Sequence, residues 1–143
     1  MTPSLMQDAP LTISSILSFA AKAHPNREIV SRQIDEPLWR YDYKGLSRRS
    51  AKAAHALQKL RIVSGSRYSS LAWNTHRHLE LFYAGPGFGA ILHTANPRLS
   101  DEQIAYTINH AESTVLLFDR NLLPAVERIA RKLTTVRIFI MLS

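Results

Sequence analysis

Val115-Leu116-Leu117-Phe118 is an unbroken apolar run between Ser113-Thr114 and Asp119-Arg120-Asn121. A strand exposed on one side alternates apolar and polar residues. A continuous run therefore reads as a strand covered on both faces, as in a parallel sheet with helices above and below.

The chain alternates regularly around this run. Upstream, the pattern predicts a strand over residues 67–73, a helix over 75–87, a strand over 90–94 and a helix over 101–111, leading to the strand at 114–118. Downstream, a helix over 121–133 and a strand over 136–142 follow. Three strand-helix-strand units in succession imply a mostly parallel sheet with helices on both faces. Helix starts carry capping residues: Ser100 with Gln103 forms a capping box, and Asn74 or Thr75 and Asp119 stand where caps are needed.

The texture differs before residue 67. Ile13, Ile16, Leu17, Ala20 and Ala21 recur at helical steps, predicting a helix over 8–24 that lies on a core, with Thr12 as cap and Pro25 as stop. Residues 28–33 and 38–43 read as a hairpin around Asp35-Glu36-Pro37. Asp42 then caps a helix reaching residue 60, with Leu46, Ala53, Ala54, Leu57 and Leu60 facing inward. The expected fold class is α/β: a partial doubly wound, mostly parallel sheet with flanking helices, preceded by an N-terminal helix and a β-hairpin. The strand at 136–142 carries Ile138, Phe139, Ile140 and Met141 with no helix after it, an edge of the kind that pairs with other chains.

With 143 residues and 45% hydrophobic content, one domain over residues 1–143 is expected. The absence of cysteine excludes disulfides, thiolate metal sites and thiol nucleophiles, and fits a cytoplasmic location. The apolar runs fall far short of the ~20 residues a spanning helix needs, so no membrane span is expected. The net charge is +7, and much of the excess lies on Lys44, Arg48, Arg49, Lys52 and Lys59. These fall on the outward side of one predicted helix without interleaved aromatics, so they read as a solvated face and not as a nucleic-acid surface.

The candidate sites are few. Gly85-Pro86-Gly87-Phe88-Gly89 falls at the end of a predicted helix, where no dipole favours an anion, so it reads as close helix-to-sheet packing with a proline kink. His76 and His78 with Glu80 have the wrong spacing for helical metal ligands, and His93 and His110 read as structural histidines. Ser69 and Ser70 lack the glycines of a nucleophile elbow. The loop Asn96-Pro97-Arg98-Leu99-Ser100 leaves a strand end and enters a helix start. Arg98 beside free helical N–H groups would suit a phosphate.

Three segments carry a resemblance: Arg27-Glu28-Ile29-Val30-Ser31-Arg32, Leu71-Ala72-Trp73-Asn74-Thr75-His76-Arg77-His78-Leu79-Glu80, and Leu92-His93-Thr94-Ala95-Asn96-Pro97-Arg98-Leu99-Ser100. They are similar, in order and spacing, to fatty-acyl-CoA synthetases of the adenylate-forming superfamily. Leu11-Thr12-Ile13 and Tyr106-Thr107-Ile108-Asn109-His110-Ala111-Glu112 extend the match over almost the whole chain. The resemblance implies Mg-ATP-dependent activation of a medium- or long-chain fatty acid to an acyl-adenylate, followed by transfer to coenzyme A.

That chemistry uses a Ser/Thr/Gly-rich loop followed by Pro-Lys-Gly, later nucleotide-binding motifs and a mobile lid, none of which occurs in these 143 residues. The resemblance therefore implies the front of a large N-terminal domain, truncated before the ATP phosphate loop and inactive alone. ATP, Mg and CoA belong to the full-length family, with no catalytic residue, metal site or resident cofactor here. It implies one cofactor contact, from Arg98 to a phosphate of CoA.

The alternatives are a free-standing module holding a nucleotide or CoA-like ligand around Asn74 and Arg98, or an interaction scaffold that self-associates or pairs with a full-length relative. Two departures from the family pattern stand out. Gly65-Ser66-Arg67-Tyr68 replaces the usual Gly-Asp-Arg-Val, and Arg61 stands where relatives end a helix with glycine.

Overall fold

The computed structural model describes residues 10–34 and 36–143. Helix α1 (Ile13–Ala23) precedes an antiparallel pair, β1 (Glu28–Ser31) and β2 (Trp39–Asp42), and helix α2 (Tyr43–Lys59). Then follow β3 (Arg67–Leu71), α3 (His76–Ala84), β4 (Ile91–Ala95), α4 (Asp101–His110), β5 (Val115–Asp119), α5 (Leu123–Ile129) and β6 (Ile138–Leu142). Among the described residues, β3 to β6 form one parallel sheet in the order β4-β3-β5-β6. The mixed α/β architecture expected from the sequence is the one observed.

β5 is buried along its whole length. Leu116 and Phe118 join Leu71, Ile104, Ile108, Val126 and Ile129 in a core under α4 and α5. Val115 and Leu117 join Leu57, Tyr68 and Leu81 in a second core under α2 and α3. Burying each leucine or isoleucine stabilises the fold by about 2 kcal/mol. The chain winds from β3 to β4 on one side and back across to β5 and β6 on the other, which places helices on both faces.

Element boundaries moved where local chemistry overrode periodicity. The predicted helix over 75–87 ends at Ala84 and continues as a 3₁₀ turn over Pro86–Phe88. A Cβ on Gly85 would overlap the Tyr68 phenol, whose hydroxyl donates to the Leu81 carbonyl at 2.9 Å. Close helix-to-sheet packing is thus the role of that glycine. The helix predicted over 121–133 is split into a 3₁₀ turn at Arg120–Leu122, α5, and a second 3₁₀ turn at Ala130–Lys132.

Capping follows expectation at two helices and departs from it at three. Asp42 accepts from the Gly45 N–H at 2.6 Å, and the Ser100/Gln103 box closes in both directions. Thr75 occupies the N-cap of α3 and Thr12 that of α1, but neither hydroxyl caps its helix. Asp119 accepts from the Trp73 N–H at 2.8 Å instead of capping the turn after β5.

Helix α1 is the largest departure in burial. Leu17 is buried, whereas Ile13, Ile16 and Phe19 are exposed, so only part of the expected apolar face meets the core. Asp8 and Ala9, placed in this helix by the sequence pattern, lie outside the described residues, as does Asp35 in the expected hairpin turn.

The hairpin docks on α3 through aromatic and charged contacts. The Trp39 ring stacks on His76 with centroids 4.6 Å apart, and the Arg49 guanidinium lies 5.1 Å from the Trp39 centroid. Arg49 also donates to Glu80, buried on α3, at 2.6 Å. Arg49 therefore turns inward, whereas Lys44, Arg48, Lys52 and Lys59 remain on the solvated side.

Arg61 has φ 63°, the left-handed geometry expected where relatives carry glycine. A side chain there costs about 1 kcal/mol, so Arg61→Gly should raise thermal stability by about that amount, checked by calorimetric melting. Burial, with help from the Arg77 and Arg49 charges, lowers the His76 pKa from 6.5 to about 4. The unfolded chain then takes up a proton near pH 6.5 that the folded chain refuses, so stability falls as pH drops from 6.5 towards 4. Melting curves across that window should lose on the order of 2 kcal/mol, and His76→Phe, which keeps a stacking ring, should flatten the slope.

Candidate functional site

The parallel strands end together, and their loops build the polar side of the sheet. The loop after β3 presents Trp73 and Asn74, and the loop after β4 presents Asn96 and Arg98. Asn74 and Arg98, paired in the sequence reading, line one cleft of about 360 Å³ together with His78 and Thr94. No carboxylate lines this cleft, so the exposed Arg98 guanidinium leaves it positive. The Asn96 side chain shapes the loop by accepting the Arg98 backbone N–H at 2.9 Å.

The start of α4 carries the expected capping box together with two acids that oppose the phosphate reading of its N–H groups. Ser100 accepts the Gln103 N–H, and Asp101 and Glu102 fill the first turn. Those acids pair with Arg128 and Lys132, which hold both carboxyls below their ordinary pKa values. A helix start already capped and flanked by two carboxylates is a poor anion site. Arg98 is the one Lys or Arg side chain that lines the cleft.

A second crevice lies at the switch point, where the chain leaves β3 for one face of the sheet and β5 for the other. It holds about 180 Å³ between Trp73, Asp119, Asn121 and the hairpin residues Gln33 and Glu36. Burial raises the Asp119 pKa, and Arg77 bridges to Gln33 and Glu36. The hairpin thus occupies part of the position where open α/β sheets receive ligands.

A third cavity, of about 510 Å³, opens between β1 and α3 and is lined by Val30, Arg32, Thr75, His76, Leu79 and Phe82 among others. Asn74, His78 and Thr94 line both this cavity and the Arg98 cleft. Sequence reasoning assigned no role to Arg32 or to this cavity. Its walls come from segments more than forty residues apart (Arg32 to Thr75), and no local pattern reports their meeting.

The histidines and serines pair inside the sheet. Ser70 Oγ lies 3.0 Å from His78 Nε2, and Ser69 Oγ lies 2.8 Å from His93 Nδ1 while donating to Ser113 at 2.7 Å. Burial lowers the pKa of both imidazoles. Asp119 acts on His78 and Ser70 pairs with it, yet Ser70 is fully buried and Asp119 is engaged with the Trp73 N–H, so this trio presents no exposed nucleophile. His110 stacks on Tyr106. Among the described residues, no group of three or more metal-ligating side chains converges, and no helix is long and apolar enough to cross a membrane.

The parallel sheet and the loops at its strand ends have close counterparts. Residues 17–143 match the family described as AMP-binding enzyme. The long-chain-fatty-acid–CoA ligase of Thermus thermophilus is 44% identical over 99% of this chain and 26% of its own length. The medium-chain-fatty-acid–CoA ligase of Ectopseudomonas oleovorans is 41% identical over 93% of this chain and 24% of its own. The chain thus spans about a quarter of the length of these relatives.

Among solved structures, the N-terminal domain of FACL13 from Mycobacterium tuberculosis superposes with a TM-score of 0.81 at 22% identity, covering 92% of this chain and 33% of that one. A fatty acyl CoA synthetase of the same organism gives 0.80 over 92% of this chain and 26% of that one. At such identities the superpositions speak for the fold, and the match over residues 17–143 for descent. The chain belongs to the AMP-binding enzyme family, and its fold matches part of the N-terminal domain of an acyl-CoA ligase.

Proposed function

We propose that residues 1–143 serve as the front part of the large domain of a fatty-acyl-CoA ligase, acting in fatty acid metabolism in the cytoplasm. The whole-protein reaction is ATP-dependent adenylation of a fatty acid followed by thioester formation with CoA. The observation that carries this reading is the family match over residues 17–143, joined to the acid-free cleft holding Arg98. In this reading the segment is a single structural unit, and its contribution is a cationic approach for the phosphates of CoA.

In this reading the segment depends on the rest of a longer ligase to hold ATP and Mg, and alone it does not adenylate. Arg98 attracts the nucleotide end of CoA through charge, and Asn74 offers both a donor and an acceptor. A free-standing module that holds CoA would use the same cleft.

The purified chain is expected to show no ATP-pyrophosphate exchange with a long-chain fatty acid; detecting exchange would overturn the inactivity. Calorimetric titration with CoA should give binding that Arg98→Ala weakens about fivefold and that fades as salt rises. Equal affinity of the variant would remove Arg98 from the site.

The β6 edge favours a second reading. Phe139 and Met141 are exposed on a strand paired on one side only among the described residues. Such an edge accepts another strand, from a second copy or from a full-length relative. Light scattering should show dimers that Met141→Lys disperses, and a strict monomer at high concentration, with no binding to a full-length ligase, would remove the reading.

A further inference from the structure

Helix α1 shows water the kind of side chains that folding usually hides. Ile16 and Phe19 are 59% and 66% exposed, and Leu11, just before the helix, is fully exposed. Ile16, Phe19 and Ala23 recur at three- and four-residue steps, so they form one apolar ridge along the helix. α1 lines none of the cavities described above, so the ridge offers no pocket for the anchoring side chain of a protein partner.

The neighbouring helix supplies charge. α1 packs along α2, and the Lys44 N–H at the start of α2 donates to the Pro25 carbonyl, just past the end of α1, at 3.1 Å. Lys44, Arg48, Lys52 and Lys59 are exposed on the side of α2 opposite its buried Leu46 and Leu57. At 1.5 Å per residue this row runs about 22 Å. Neither helix contains an Asp or a Glu, and none of the four cations is in an ion pair among the described residues. Arg49, one position along from Arg48, does pair, with Glu80. Because α1 rests on α2 and α3, which cover one face of the sheet, the ridge and the row both belong to the outer surface of that layer.

A single small anion is held by converging donors, whereas a straight row of unpaired cations meets many anions set side by side. An apolar ridge without a pocket needs a medium that accepts side chains without a fitted surface. The boundary between headgroups and acyl chains in an anionic bilayer supplies both. A nucleic acid would satisfy the row and leave the ridge wet.

We infer that the surface formed by α1 and α2 docks on an anionic lipid bilayer. Ile16 and Phe19 enter the acyl boundary, and Lys44, Arg48, Lys52 and Lys59 lie against the headgroups. The contact is peripheral, since among the described residues no helix is long and apolar enough to cross a membrane. Neither helix lines the Arg98 cleft, so lipid docking and CoA binding are lost independently.

The test is flotation of the purified chain with vesicles of phosphatidylcholine, alone or mixed equally with phosphatidylglycerol. The mixed vesicles should bind about tenfold more tightly, and salt should weaken that binding. Arg48→Gln combined with Lys52→Gln should weaken it about tenfold, whereas Arg131→Gln, at an exposed cation beyond α5, should leave it unchanged. Phe19→Ser, at a position already two-thirds exposed, should keep the melting temperature and weaken binding about fivefold. Phe19→Trp should shift its emission to the blue on the mixed vesicles. Equal binding to neutral vesicles, no binding to either kind, an unmoved Phe19→Trp emission, or an equal loss in Arg131→Gln would each overturn the inference. Polyglutamate binding as tightly as the vesicles would overturn it in favour of an acidic protein. A dimer in light scattering that Phe19→Ser disperses would overturn it in favour of a second copy.

Discussion

A parallel strand that pairs on both edges and is covered on both faces cannot be moved without dismantling everything around it, and β5 is that strand. Its Leu116 and Phe118 anchor the core under α4 and α5, and its Val115 and Leu117 anchor the core under α2 and α3. A slip of one residue would exchange the two sets and empty both cores at once. The register of β3 and β6 against β5, and hence the level at which all strand ends present their loops, follows from this one fit.

Polar groups inside the sheet add specificity to that fit. Ser69 and Ser70 point to opposite faces of β3, and each meets an imidazole, from His93 on one side and His78 on the other. Buried hydroxyls tolerate only arrangements in which each finds a partner, which ties the position of α3 and β4 to β3. The hairpin is fastened differently, by the Trp39-His76 stack and by Arg49 reaching both Trp39 and buried Glu80. The geometry around the start of α3 therefore depends on a segment that is not part of the main sheet.

Much of this was legible in the sequence for physical reasons. A four-residue apolar run has no stable home except between two layers, and repeated strand-helix alternation leaves few topologies open. Arg61 announced its left-handed geometry through its place after a helix, and Asp42 and Ser100 announced their caps. Arg98 and Asn74 were placed together correctly because both follow parallel strands.

The rest depended on contacts that no window of sequence contains. Ile13 and Ile16 keep the period of a buried helix, yet whether a neighbour exists to cover them is a tertiary fact. Arg49 belongs to a basic stripe by sequence but leaves it for Glu80, thirty-one residues away. The contact of Ser31 with the first amide of α3 was equally hidden, because forty-five residues separate it from His76.

The strand order has a consequence for how the chain is made. β3 lies between β4 and β5 but is synthesised before both, so it waits for both partners, and at ~5–20 residues per second that wait lasts seconds. A strand of pure valine and leucine in that position would be a hazard on the ribosome. Tyr68-Ser69-Ser70-Leu71 avoids it: the two hydroxyls keep the nascent segment hydrated until His93, Ser113 and Leu117 arrive to enclose it. The same serines that fix the finished sheet thus lower the apolar character of the strand that has longest to wait for its partners.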